Sequence, residues 1–279
     1  MKKHSNQITL AIGLAFTSLL LTAGNIEAAR DPGGHTRKGV AAARSKQWDT
    51  AVAEFTKAIE EQPKDAKNYS NRGEVYKITG KLKKAEADFT KAIELKPKNA
   101  DAYLDRGQIR LREKNKLDDA IADFDVAVNI SPRDASARRF RAYAYMQKKQ
   151  WQKAIDDYTV AINRVRKIDV EGRTRRGFAY RNLKLYDKAI EDFTKVIEAE
   201  PKDVEAYRRR AYAYTLAGQD DKASADLGAI LKLKPNDADA QKRLKALQAK
   251  APPASRAKPK QPLAGSPGNT PAARPTPTR

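Results

Sequence analysis

Two rows of charge recur through the 279 residues of this chain. A basic residue stands at Lys38, Arg72, Arg106, Arg141, Arg176 and Arg210, and a carboxylate at Glu54, Asp88, Asp123, Asp157, Asp192 and Asp226. Such rows can pair with each other, or the arginines can clamp an anionic ligand through two parallel hydrogen bonds. Each basic residue directly precedes a recurrent small residue, and each acid directly precedes a recurrent aromatic or leucine. Both rows therefore border core positions, and the favoured reading is a structural ion-pair ladder. Exposed, each pair would contribute about 0–1 kcal/mol; partly buried, losing one partner would cost about 3–5 kcal/mol because the other charge is stranded.

Catalytic chemistry finds little material. The histidines are His4 and His35, and cysteine is absent, which removes most nucleophile–base pairs, any disulfide and any histidine-rich metal site. Adjacent carboxylates such as Asp118 with Asp119, or Asp156 with Asp157, point in different directions on a helix. No glycine-rich phosphate loop is present. The expectation is a non-catalytic protein with no catalytic residues, no cofactor and no metal.

The charged rows sit in a longer pattern. Small residues recur at Gly39, Gly73, Gly107, Ala142, Gly177 and Ala211, and again at Ala51, Ala85, Ala120, Ala154, Ala189 and Ala223. Phe55, Phe89, Phe124, Tyr158, Phe193 and Leu227 follow four residues after the second set, and Pro63, Pro97, Pro132, Pro201 and Pro235 close five copies. Antiparallel helices approach closely where both offer small side chains, so Gly73 is expected to face Ala85. Phe89, one turn beyond Ala85, would fill the hairpin and meet the next copy. Proline ends the second helix of each copy.

With a period of 34 residues and a second copy reading YSNRGEVYKITGKLKKAEADFTKAIELKPKNA from Tyr69, the chain resembles the tetratricopeptide repeat family. The resemblance implies an all-α, right-handed α-solenoid of six helix-turn-helix units at 32–65, 66–99, 100–134, 135–169, 170–203 and 204–237. An amphipathic segment at 238–249 would act as the C-terminal capping helix. Three departures are expected to matter: an extra residue near Lys114–Lys116; a stretch from Arg164 to Arg173 without turn signals, where the second helix would run on and the solenoid kink; and a first helix shortened by Pro32, Gly33 and Gly34.

In this family the first helix of each copy lines the inner side. The positions there that face away from the hairpin core are Arg139, Tyr143, Met146 and Gln147, then Thr174, Phe178, Arg181 and Asn182, then Arg208, Tyr212, Thr215 and Leu216. The candidate partner-binding groove is thus Arg139, Tyr143, Met146, Phe178, Arg181, Arg208, Tyr212 and Thr215, a mixture suited to a protein or peptide with acidic and apolar side chains. Burial of Tyr143 and Tyr212 against neighbouring copies is the competing reading. The earlier copies offer Thr36, Val40, Ser70, Glu74, Leu104 and Gln108. The carboxylate clamp by which some family members hold chaperone tails does not carry over: Asn71 matches, but Val40, Thr36, Asp101 and Asp105 do not.

Outside the repeats, Lys2, Lys3 and the apolar run from Ile8 to Leu21 resemble a signal peptide at 1–28, implying export, in bacteria to the periplasm. An uncleaved anchor in the inner membrane is the alternative. The segment 250–279 holds eight of the fourteen prolines and six basic residues with no acid, the composition of a disordered basic tail. The net charge of +21 points to an anionic partner. An exported chain meets little nucleic acid, so anionic lipid, envelope or wall polymer, or an acidic protein is expected. Self-association through open terminal faces is a further possibility.

Overall fold

A computed structural model describes residue 31 and residues 33–165 and 167–250. The expected signal peptide, the tail beyond Lys250, Pro32 and Arg166 lie outside the described residues. Among those described are thirteen α-helices, one 3-10 turn and no strand. The helices form consecutive antiparallel pairs: α1 (His35–Arg44) with α2 (Trp48–Glu61), α3 (Ala66–Ile78) with α4 (Leu82–Leu95), α5 (Ala100–Arg110) with α6 (Leu117–Ile130), α7 (Ala135–Gln147) with α8 (Trp151–Arg164), α9 (Val170–Asn182) with α10 (Tyr186–Ala199), and α11 (Val204–Leu216) with α12 (Asp220–Leu233). Helix α13 (Ala238–Lys250) follows. The chain is an all-α solenoid of helical hairpins.

It folds as two compact units, one ending at Pro201 and the other starting at Lys202. In the first, each hairpin's second helix packs on the first helix of the next: α2 on α3, α4 on α5, α6 on α7 and α8 on α9. In the second, α13 packs on α12, and Leu247 joins Ala211, Ala223, Leu227, Ile230 and Ala240 in one core.

Local signals set the helix starts. The carboxylates or amide of Asp65, Asn99, Asp134, Asp169, Asp203 and Asp237 accept from backbone N–H groups of the helix that follows. Each such cap contributes about 1 kcal/mol. Helices α1, α7 and α9 end in a left-handed residue, Lys46, Lys149 or Lys184, where α3 and α11 have Gly80 and Gly218. The next N–H reaches back into the last turn, as Gln150 N does to Tyr145 O at 2.8 Å and Leu185 N to Tyr180 O at 2.9 Å. The third copy, with its extra residue, replaces this turn by a 3-10 turn at Lys114–Lys116.

The structure corrects one expectation and sharpens another. Helix α8 does not run on: Val165 is extended (φ −101°, ψ 140°), and Asp169 restarts the chain as α9 by capping Gly172 N at 2.9 Å. Asp169 and Gly172 lie inside the first unit, which ends at Pro201. The glycine of the first helix in four copies, at Gly39, Gly73, Gly107 and Gly177, has the aromatic ring of the second helix as its nearest neighbour. A Cβ on Gly107 would lie 2.6 Å from the Phe124 ring, and one on Gly177 2.8 Å from Phe193. The glycine thus makes room for a ring.

Those rings form the core. Phe55, Phe89, Phe124, Tyr158 and Phe193 are fully buried. Tyr158 departs from the other four, because its hydroxyl has no hydrogen-bond partner among the described residues. Burial is the main cause that pushes its pKa up, with Glu171 and Asp169 acting the same way and Arg175 opposing them. An unsatisfied buried hydroxyl costs about 1–3 kcal/mol. Tyr158→Phe is therefore expected to stabilise the protein by about 1 kcal/mol, seen as a higher urea midpoint; a lower midpoint would show that the hydroxyl has a partner.

Candidate partner-binding face

The charge rows meet inside the hairpins. Arg72 donates to both oxygens of Asp88 at 2.8 Å, Arg106 to Asp123 at 3.0 and 2.7 Å, Arg141 to Asp157 at 2.7 and 2.6 Å, Arg176 to Asp192 at 2.8 and 2.7 Å, and Arg210 to Asp226 at 2.9 and 2.7 Å. All five carboxylates are buried. The guanidinium also reaches back to the preceding hairpin's second helix: Arg72 to Thr56 at 3.0 Å, Arg106 to Thr90 at 3.1 Å, Arg141 to Asp125 at 2.7 Å and Arg176 to Thr159 at 3.0 Å. Hydrogen bonds from Arg141 to Asp157 hold its pKa above the usual arginine range.

The first copy departs from this arrangement. Lys38 donates to Gly33 O at 3.1 Å, while Glu54 meets the His35 ring at 2.7 Å, a hydrogen bond that holds the Glu54 carboxyl below its usual range. Lysine lacks the planar fork needed for two parallel bonds, and the histidine at the start of the short first helix takes the carboxylate.

The expected groove residues fall in both units. In the first, Arg139 is committed to the α9 cap Asp169 at 3.0 and 2.9 Å. Tyr143 packs on the cluster around Phe124 and Ala144, and the Arg175 guanidinium lies 4.6 Å from its ring centroid, held there by Glu171 at 2.7 Å. Met146 packs against Ala142, Ala154, Tyr158 and Ile162. Phe178 stays 36% exposed, with Arg181 4.6 Å above its ring and Trp151 at its edge, 6.0 Å between centroids. Nothing in the spacing of the repeats announces Trp151 as its neighbour; the signal is only that α8 begins on a tryptophan.

In the second unit, Arg208 binds Asp237 at 2.8 Å and Asp239 at 2.9 Å. Its hydrogen bonds, with that from Ala240 N, draw the Asp237 carboxyl down to about 2. Tyr212 and Leu216 are each 40% exposed, and Arg243 lies 5.9 Å from the Tyr212 ring. The Thr215 hydroxyl donates to Ala211 O at 3.0 Å.

The second and third copies present an acidic cluster. Lys77 lies 2.6 Å from both Glu74 and Asp105. Burial raises Asp105 to about 6 against the pull of Lys77, and the carboxylates of Glu74 and Asp101 push it the same way. Buried Asn68, absent from the sequence-based list, accepts from Thr36 at 2.9 Å and ties the first helix to α3. Among the described residues no group of three or more His, Asp or Glu is arranged to hold a metal, and no helix is long and apolar enough to cross a membrane.

Family models described as tetratricopeptide repeat match residues 66–99 and 170–203, 89–122, and 111–167. Among solved structures, YrrB, described as a tetratricopeptide repeat protein with an unusual peptide-binding site, is 25% identical with a TM-score of 0.62, covering 68% of this chain and 97% of its own. MamA is 23% identical (TM-score 0.58), with 64% of this chain and 96% of its own covered. A tetratricopeptide repeat protein from Parabacteroides merdae ATCC 43184 is 18% identical (TM-score 0.57), with 77% and 98% covered. Comparison with curated protein sequences returns no match. Stacked hairpins whose glycines seat the next helix's aromatics, together with these matches, make the chain a member of the tetratricopeptide repeat family.

Proposed function

We propose that this protein is an exported, non-catalytic scaffold that holds an acidic and apolar peptide segment of a protein partner on the first-helix face of its later repeats. Tetratricopeptide repeats are in general protein-interaction scaffolds, and the similar YrrB is described as having a peptide-binding site. The observation that carries the reading is Phe178: a large ring left 36% exposed, with a guanidinium over its face and an indole at its edge. A partner aliphatic side chain laid against that ring brings its flanking carboxylates to the cationic rim. Arg139 and Tyr143 support the face from within, since the one is bound to Asp169 and the other is packed under Arg175. Export rests on the character of residues 1–28.

The test is capture of partners from an envelope extract by the full chain at low and high salt, with Phe178→Ala in parallel. A partner held by apolar contact survives moderate salt, because only the exposed charges are screened, over about 8 Å at physiological ionic strength. Phe178→Ala is expected to weaken its binding by about tenfold or more with little change in melting temperature. Retention that is lost with salt and indifferent to Phe178 would overturn the reading in favour of an anionic envelope polymer.

A further inference from the structure

We infer that the edge of the first unit formed by its hairpin turns is a docking strip for an anionic lipid bilayer, a surface that borders the peptide face at Trp151 and Arg181 and does not include Phe178. The first observation is in the backbone. A left-handed residue closes the turns at Lys46 (φ 59°), Lys149 (φ 57°) and Lys184 (φ 60°), where the second copy uses Gly80 (φ 75°). Glycine and asparagine adopt this conformation readily; a lysine does so against steric resistance from its Cβ. Three of the five turns in this unit therefore keep a cation where the turn itself favours glycine. All three lysines are exposed, and none forms an ion pair with any described residue.

The turns are neighbours. Lys81 of the second turn lies 3.8 Å from Asp49 of the first hairpin, Lys116 of the third turn 3.0 Å from Glu86 of the second hairpin, and Lys148 of the fourth turn pairs with Asp118 of the third hairpin. Together the segments 44–49, 81–84, 110–119, 148–153 and 181–188 carry fifteen basic and five acidic side chains. That excess gives the edge one sign of charge.

The second observation separates a bilayer from a soluble polyanion. Both tryptophans of the chain, Trp48 and Trp151, are the first residues of α2 and α8, at this same edge. Leu183 and Leu185 flank Lys184 in the fifth turn, 36% and 39% exposed. Lysines, half-buried indoles and exposed leucines together match the headgroup layer, where indole rings and apolar tips both find favourable surroundings. A nucleic acid or a wall polymer would gain nothing from the leucines.

The test is flotation of the full chain with vesicles of phosphatidylcholine alone or phosphatidylcholine containing phosphatidylglycerol. Binding should require phosphatidylglycerol. The triple variant Lys46→Gly, Lys149→Gly, Lys184→Gly should bind about 100-fold more weakly while melting at the same or a higher temperature, because glycine relaxes all three turns. Leu183→Ser with Leu185→Ser should weaken binding further at high salt, where charge alone no longer holds the protein. Unchanged vesicle binding by the triple variant overturns the inference. So does heparin binding that the lysine triple weakens, combined with vesicle binding that the leucine pair leaves untouched, since the strip would then read soluble polyanions. Loss of partner capture through Phe178 bears on the peptide face alone.

Discussion

Asp192→Ala should lower the unfolding free energy by about 3 kcal/mol, at the lower end of what stranding a buried charge costs, with a fall in Tm of about 6–12 °C for a domain of this size. Asp192 is 1% exposed and accepts from Arg176 at 2.8 and 2.7 Å and from Arg173 at 3.2 Å. Removing it leaves two guanidiniums facing each other across a site that water barely enters. The lower end of the range applies because the two arginine side chains keep 14% and 23% exposure and part of their hydration. The control is to remove all three charges: Arg173→Met and Arg176→Met with Asp192→Leu should recover most of the loss, because a well-packed apolar cluster needs no desolvated charge to be balanced. Arg141→Ala should behave like Asp192→Ala, lowering Tm more than it alters partner binding. Urea midpoints and Tm values equal to wild type for the single variants would show that the arginines are not structural and would return them to the list of ligand-binding groups.

Phe124→Ala should cost about 3–5 kcal/mol, the transfer of a buried ring plus the cavity left behind. Phe124 is fully buried, stacks on Phe140 with centroids 5.9 Å apart, and occupies the space over Gly107. Its loss therefore loosens both its own hairpin and the contact with the fourth. The sharper result is a change of sign. In the wild-type protein Gly107→Ala places a Cβ 2.6 Å from the ring and must displace it, so the substitution should destabilise. In the Phe124→Ala background the same Cβ enters the cavity, and alanine's better helix propensity, worth about 1 kcal/mol, is no longer opposed. A double-mutant cycle by urea unfolding measures this coupling. Additive effects would mean that glycine and ring do not share the space.

Particular residues show how far the sequence could be read. The pairing of Arg72 with Asp88 was legible because both recur beside positions that must be buried, and a buried charge needs a partner. Its third bond, to Thr56 of the preceding hairpin, was not, because that depends on how two repeats stack. The caps Asp65, Asn99, Asp134, Asp169, Asp203 and Asp237 carried a local signal, an acid or amide just ahead of α3, α5, α7, α9, α11 and α13, and would have located the start of α9 where the turn pattern failed. The groove was legible only as a set of positions. Arg139 looks available in the sequence, yet its carboxylate partner sits thirty residues on, at the head of the next hairpin.

By itself the sequence determined the hairpins, their number and family, because helix period, small-residue spacing and proline stops are local properties of the chain. Tertiary structure alone decided that the glycines face rings, that the first rung of the ladder is lost to His35, that Arg139 and Arg208 already hold carboxylates, and that Phe178, Leu183 and Leu185 stay exposed. Those outcomes depend on which side chain arrives first at a shared space or a shared charge. That competition exists only once separate repeats are packed against one another.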